Sequence, residues 1–285
     1  MSHRFPIISI TGSSGSGSHK VGNIFAHIAW RQKIKPLLIS GSGFHRYERD
    51  EMSRMAEEGH PLTHFSPLAN HMDLLEKLFR EFSESGRGRF RHYIHSEADA
   101  RQHNRPMGTF TPWEAIPEGT DLLVYKGLHG AYIGDGIDLT RYADFTIGVA
   151  PIVNLEWIQK IHNDINNRGY TLDAVKRIIE SRLNDYVRSI TPQFSKTDVN
   201  FQRIPLVDTS NPFITRDVPN CEESMVVIRF RYPNRFDFPY LLKMIDDSFM
   251  SRRNTIVVPG GKMEYAMELL LNPIIERIME KRLKQ

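Results

Sequence analysis

The chain of 285 residues holds a single cysteine, Cys221, so an internal disulfide framework is excluded and the composition fits a reducing cytoplasm. No apolar run approaches the roughly 20 residues needed to span a bilayer. The opening stretch Met1-Ser2-His3-Arg4-Phe5-Pro6 carries no apolar leader, so no signal peptide is expected. Excess charge of one sign is lacking too: 37 Lys and Arg against 34 Asp and Glu leave +3 at pH 7, which makes no case for a polyanionic partner such as nucleic acid. Repeats, low-complexity tracts and linkers are absent. These absences leave a soluble globular protein, long enough for one large α/β domain or two small ones. A single domain over residues 1–285 is the expectation.

What is present starts at the amino end. The β-branched run Ile7-Ile8-Ser9-Ile10-Thr11 feeds Gly12-Ser13-Ser14-Gly15-Ser16-Gly17-Ser18-His19-Lys20, and a helix-compatible segment follows. Strand, glycine loop and helix in that order are the layout of a phosphate-binding loop, whose backbone N–H groups curl around an anion. A tight strand-to-helix turn without a ligand is the plainer alternative.

Further strands are expected at 36–40, 121–125, 145–151, 204–207, 225–230 and 255–258. Helices are expected at 18–33, 72–84, 155–167, 172–187, 239–248 and 262–281. Their alternation predicts an α/β fold with a largely parallel sheet covered on both faces. Between Ser42 and Pro117 the strand signal lapses, and the stretch holds seven of the twelve histidines. It reads as an insertion at about 42–117, where active-site walls are often built. Ligands in open α/β sheets bind beyond the carboxyl ends of the strands. Three such ends carry polar loops here: the glycine loop, Ser40-Gly41-Ser42-Gly43-Phe44-His45-Arg46, and Tyr125-Lys126-Gly127-Leu128-His129-Gly130. They are expected to converge on one cleft.

Other groupings admit two readings. Lys160, Asp164 and Arg168 stack along one helix face, either as a solvated ion-pair stripe or as a cationic face for a sugar phosphate or a metal nucleotide. His45, Arg46 and Arg49 offer forks suited to phosphate, or ordinary surface charge. His60, His64, His71, His92, His95 and His103 have no supporting cysteine or tight ligand spacing, so surface histidines are favoured over a zinc site.

At this point the sequence resembles a known family, the bacterial type of phosphoribulokinase. The resemblance runs nearly end to end. It is carried by Gly12-Ser13-Ser14-Gly15-Ser16-Gly17, Phe44-His45-Arg46, Gly127-Leu128-His129-Gly130 and the run from Val153 to His162. Thr191-Pro192-Gln193-Phe194-Ser195, Asn200-Phe201-Gln202-Arg203, the run from Val207 to Phe213 and the run from Val257 to Lys262 complete it. It implies a P-loop-kinase α/β fold around a mixed, mostly parallel sheet flanked by helices, and transfer of phosphate from Mg-ATP to ribulose 5-phosphate, giving ribulose 1,5-bisphosphate. It also implies NADH and AMP as effectors and a homo-oligomer, typically an octamer, with no membrane or nucleic-acid partner.

Carried over position by position, the resemblance places nucleotide binding on Gly12 to Ser18, with His19 next. Substrate binding falls on His45, Arg49, His95, Lys160 and Arg168, and effector binding on Arg31, Arg229 and Arg252. Asp164 is retained among the catalytic positions. Ser42 stands where the family has its base, an Asp, and Lys126 where it has a Glu before Gly-Leu-His-Gly. His19 replaces a Mg²⁺-binding hydroxyl, Asn163 an Arg, and Ser53 a Lys that contributes to sugar-phosphate binding. Ser42 cannot accept a proton near pH 7 without a base of its own. At about 4 Å and an effective dielectric near 20, a unit charge contact is worth roughly 4 kcal/mol, so the reversal at Lys126 is hard to offset. Mg²⁺ is left with Asp164 as a weak ligand, and ATP as the expected cofactor. The expectation is therefore a phosphoribulokinase homologue impaired in catalysis, or a pseudoenzyme retaining nucleotide or sugar-phosphate binding. It would act as a homo-oligomer or in a mixed oligomer with an active homologue. The alternative is an active sugar-phosphate kinase with Asp164 as metal ligand and His45 as base. A further variant has Lys126 neutralising phosphate without metal.

Overall fold

A computed structural model of the protein describes residues 4–12, 19–60, 62–215 and 217–284, with residues 19–23, 167 and 168 described by their backbone. The strands are β1 Ile7–Thr11, β2 Pro36–Ser40, β3 Arg89–Phe90, β4 Glu114–Ala115, β5 Leu122–Gly127, β6 Ile133–Gly134, β7 Ile137–Asp138, β8 Phe145–Pro151, β9 Val199–Pro205, β10 Ser224–Phe230, β11 Phe249–Arg252 and β12 Thr255–Pro259. The α-helices are α1 His19–Gln32, α2 Arg49–Glu57, α3 Met72–Ser85, α4 Glu97–His103, α5 Val153–Arg168, α6 Leu172–Asp185, α7 Phe238–Met244 and α8 Met263–Leu283.

Eight strands form one sheet in the order β11-β12-β10-β9-β8-β1-β5-β2. The five from β9 to β2 are mutually parallel, and β10, β12 and β11 join antiparallel. The expected mixed, mostly parallel sheet is what the chain forms. Its centre is β1, buried at all five residues because strands and helical layers enclose it on every side. Alternate residues divide between two cores. Ile8, Ile10, Val124, Ile147, Phe201, Ile228 and Ile256 face α1, α7 and α8. Ile7, Ile39, Leu123 and Tyr125 face α3, whose Leu75, Leu78, Phe79 and Phe82 recur at helical spacing. The stretch 42–117 thus supplies, through α3 and Phe44, the layer that covers one face of the sheet. A smaller cluster of Ile161, Val175 and Ile179 joins α5 to α6.

Three expectations are corrected in detail. The strand placed at 204–207 lies instead at Val199–Pro205. There Val199 and Phe201 alternate with the polar Asn200 and Gln202, while Leu206 and Val207 are exposed beyond its end. β11 is a four-residue edge strand with no apolar run to mark it. α2 and α4 bury no residue, so no apolar periodicity announces them. The end of α4's first turn is secured by a reciprocal cap between Ser96 and Asp99. No helix among the described residues is long and apolar enough to cross a membrane.

Candidate active site

The carboxyl ends of β1, β2 and β5 lie side by side, and the polar loops that follow β2 and β5 start there. Gly12 N donates to Gly127 O at 3.1 Å, so the chain enters the glycine loop pinned to the end of β5. A Cβ on Gly41 would lie 2.9 Å from Gly127 Cα and 2.4 Å from Tyr125 Oη, so the ends of β2 and β5 close in only because both positions are glycine. Residues Ser13 to Ser18 lie outside the described residues, as do the side chains of His19 and Arg168. What these contribute as nucleotide or substrate contacts stays with the sequence.

Gln193, in the turn Thr191–Ser195, ties the loops together. Its Oε1 accepts from Thr11 Oγ1 and Ala131 N, both at 3.0 Å. Its Nε2 donates to Leu128 O at 2.9 Å and Ser189 O at 2.7 Å. The residue is buried. One amide therefore joins the last residue of β1 to the loop after β5.

On the α3 side a second buried network forms. His45 Nδ1 donates to Asn70 Oδ1 at 2.7 Å. Asn70 Nδ2 donates to the carbonyls of Ser66 and His64 and lies 3.2 Å from His129 Nε2. The His45 and His64 rings stack with centroids 4.1 Å apart. Burial pushes all three imidazoles down, His45 to about 4, His64 to about 2 and His129 to about 3, so each is neutral at pH 7. His64 is therefore not the surface histidine that its sequence context suggests. A base role for His45 is disfavoured by the same burial. No group of three His, Cys, Asp or Glu suited to a metal is present among the described residues.

Ser42 stands at the mouth of this network. Its Oγ lies 2.9 Å from His95 Nε2 and 2.8 Å from Ser40 Oγ. Tyr93 packs between the histidines, its ring 5.9 Å from His45 and 4.7 Å from His95. Arg49 N donates to Gly108 O and Gly108 N to Ile94 O, so Arg49 enters beside His95. Arg91 stacks 3.6 Å from the Phe110 centroid and donates to Gly43 O and His45 O, bracing the Ser42 turn from behind. Tyr93 thus brings His45 and His95 together, and the backbone of Arg49 is tied through Gly108 to the segment that carries His95. Ser53 is exposed and spends its hydroxyl on Arg49 O, one turn back in α2.

Lys126 is half-buried at the end of β5, between Ile10 of β1 and Ser40 of β2. Among the described residues its ammonium makes no hydrogen bond or ion pair, and burial holds it below the usual lysine range. Lys160 and Asp164 sit on α5 and form an ion pair with each other, the Asp164 side chain being 2% exposed. Asn163 is exposed beside them. Among the described residues the strand end thus offers a cation, and the carboxylate on α5 faces a lysine.

The three arginines expected to bind an effector divide. Arg31 is on α1 and pairs with Glu268 of α8 at 3.0 Å. Arg229 and Arg252 both pair in register with Thr255, and the Arg229 guanidinium donates to Phe194 O at 2.8 Å. These two lie on the sheet face opposite the α1 and α8 layer, because Ile228 and Phe230 on either side of Arg229 point into that layer. Within one chain the set is not brought together.

The residues that sequence reasoning passed over are Asn70, Tyr93 and Arg91. Gln193 stood inside a quoted motif without a role. None of these has a spacing signature; their roles depend on contacts that reach up to 182 residues away in sequence.

Comparison with known proteins agrees with this geometry. The family model described as "Phosphoribulokinase / Uridine kinase family" matches residues 7–210. A chromosomal phosphoribulokinase of Cupriavidus necator is 52% identical over 99% of this chain and 98% of its own length. One from Nitrobacter vulgaris is 50% identical over 99% of both. The solved structure of a phosphoribulokinase from Rhodobacter spheroides superposes with a TM-score of 0.88 at 46% identity, covering 98% of this chain and 99% of that one. The sheet and its helical layers are accordingly those of a P-loop kinase, and the chain belongs to the phosphoribulokinase family.

Proposed function

We propose that this chain binds an adenine nucleotide and a sugar phosphate of the ribulose 5-phosphate class, as its family does, but transfers the phosphoryl group poorly. The observation that carries the reading is Lys126, a half-buried ammonium at the strand end where the family has a Glu. Phosphoryl transfer rests on positioning and charge stabilisation. A cation there repels Mg²⁺ and attracts phosphate directly, so the nucleotide is held without requiring the metal. Ser42 adds to the impairment, since a serine hydroxyl takes no proton near neutrality. His45, His95 and Arg49 remain grouped for an anionic sugar. The reading includes a cytoplasmic protein that assembles with its own copies or with an active homologue.

The test is ATP-dependent phosphorylation of ribulose 5-phosphate by the pure protein beside an active relative. Turnover within tenfold of that relative defeats the reading. Calorimetry with ATP, with and without EDTA, tests the charge argument, and binding that requires Mg²⁺ refutes it.

One observation favours a second reading. The hydrogen bond between Ser42 and His95 gives the serine a base of its own, so that a proton could pass from a sugar hydroxyl toward His95. An active kinase of this kind consumes ATP with some sugar phosphate and loses that activity on His95→Ala.

A further inference from the structure

Two cavities open side by side at the amino ends of β1 and β8, the end of the sheet away from the glycine loop. One, of about 810 Å³, is polar and is bordered by Lys196, Arg231 and Asp198. The other, of about 360 Å³, is an apolar cleft between α7 and α8, bordered by Phe236, Tyr240, Leu270 and Ile274. Asp144, Arg235, Arg277, Ile278 and Lys281 border both, so the two are continuous.

The charges around this concavity do not balance. Lys196, Arg231, Arg235, Arg277 and Lys281 supply five cations. The two carboxylates at the mouth are engaged by backbone: Asp144 accepts from Ile7 N at 3.0 Å, and Asp198 from Thr146 N and Thr146 Oγ1 at 2.8 Å each. Asp237, in the apolar cleft, caps α7 by accepting from Tyr240 N at 3.0 Å. Arg235 lies over the Tyr232 ring at 4.5 Å, and Arg231 donates to Lys196 O at 2.6 Å. Among the described residues, the side chains of Lys196, Arg277 and Lys281 make no hydrogen bond or ion pair. Solvated surface cations avoid one another. Here a loop, a turn and a helix direct them around one hollow, and an apolar cleft continues from it. Such a pairing of a few cations with an apolar wall is the chemistry of a small-molecule site.

We propose that this double cavity binds an amphipathic organic anion, with a phosphate-like group among Lys196, Arg277 and Lys281 and a ring-sized apolar body between α7 and α8. The site is separate from the one at the carboxyl ends of the strands, and neither Arg31, Arg229 nor Arg252 borders it.

The test uses the full chain and an anilinonaphthalene sulfonate, whose fluorescence reports an aromatic body joined to an anion. Saturable binding at one probe per chain is expected. Arg277→Glu and, separately, Tyr240→Asp each weaken it about tenfold, the scale of one lost charged contact. Lys126→Met, at the other end of the sheet, leaves it unchanged. Arg277 is exposed on α8, so its substitution leaves the fold intact, and thermal melting checks both variants. Equal affinity in both variants overturns the proposal. So does an effect confined to one of them, because the site then lacks either its anionic or its apolar half. Weakening by Lys126→Met overturns it as well, because the probe then occupies the nucleotide site.

Discussion

Ser42 Oγ and His95 Nε2 lie 2.9 Å apart across the mouth of the candidate site. On the function proposed above, the hydroxyl and the imidazole here share the place of an acid that takes a proton by itself. Replacement of Ser42 by Asp therefore restores a base, and replacement of Lys126 by Glu restores the negative strand end. The S42D/K126E double variant is expected to raise ribulose 5-phosphate kinase turnover by about 10²–10⁴-fold, the usual weight of a general base. A coupled ADP-release assay reads this directly. No gain in a folded double variant removes both residues as the basis of the proposed impairment.

Gln193 is buried and uses both ends of its amide on four partners. Gln193→Ala takes the acceptor from Ala131 N and a donor from Ser189 O in a dry setting, while Thr11 Oγ1 and Leu128 O keep each other, at a cost of about 1–3 kcal/mol. Because Thr11 leads into the glycine loop, ATP affinity is expected to fall together with stability. Urea denaturation and calorimetry on the same variant check the pair. Gln193→Glu places a carboxylate against Leu128 O and Ser189 O and is expected to be the worse substitution.

Much of this site was legible in the sequence. The three strand ends follow from apolar runs that stop at glycine-rich loops, whereas the close approach of Gly41 to Gly127 is visible only in the fold. The sheet with helical layers on both faces follows from helices between β-branched strands. What the sequence hid was polar and tertiary. Gln193 and Asn70 carry no periodic signal, since a side-chain amide becomes a hub only when distant backbone comes within 3 Å. α2 and α4 stayed hidden because neither buries a residue, and β9 because its buried residues alternate with polar ones.

The histidine network makes stability depend on acid. His45, His64 and His129 are held neutral in the fold, at about 4, 2 and 3, against 6.5 when exposed. As the pH falls below 6.5 the unfolded chain takes up protons that the folded chain refuses. Stability is thus full above about pH 6.5 and is lost progressively toward pH 4, where His45 begins to accept a proton within the fold. Each histidine contributes a slope of at most about 1.4 kcal/mol per pH unit. Urea midpoints at pH 7.5, 6 and 5 are expected to fall in that order, and less steeply in His64→Leu. A flat profile over that range contradicts the burial of these rings as neutral species.

Asp164 separates two roles that the sequence left open. As a metal ligand it would matter to turnover and little to folding. As the buried partner of Lys160 it matters to folding first, since its side chain is 2% exposed and that of Lys160 is 19% exposed. Removing one member of a buried pair strands the other, at a typical cost of about 3–5 kcal/mol. Asp164→Asn is therefore expected to lower the melting temperature by several degrees, and the double variant Asp164→Leu with Lys160→Met to recover most of it. ATP affinity in the double variant is expected to stay near that of the parent, because phosphate attraction at the strand end rests on Lys126. If the single variant melts like the parent and loses only metal-dependent nucleotide binding, Asp164 is a metal ligand, and the nucleotide at Lys126 is not held by charge alone.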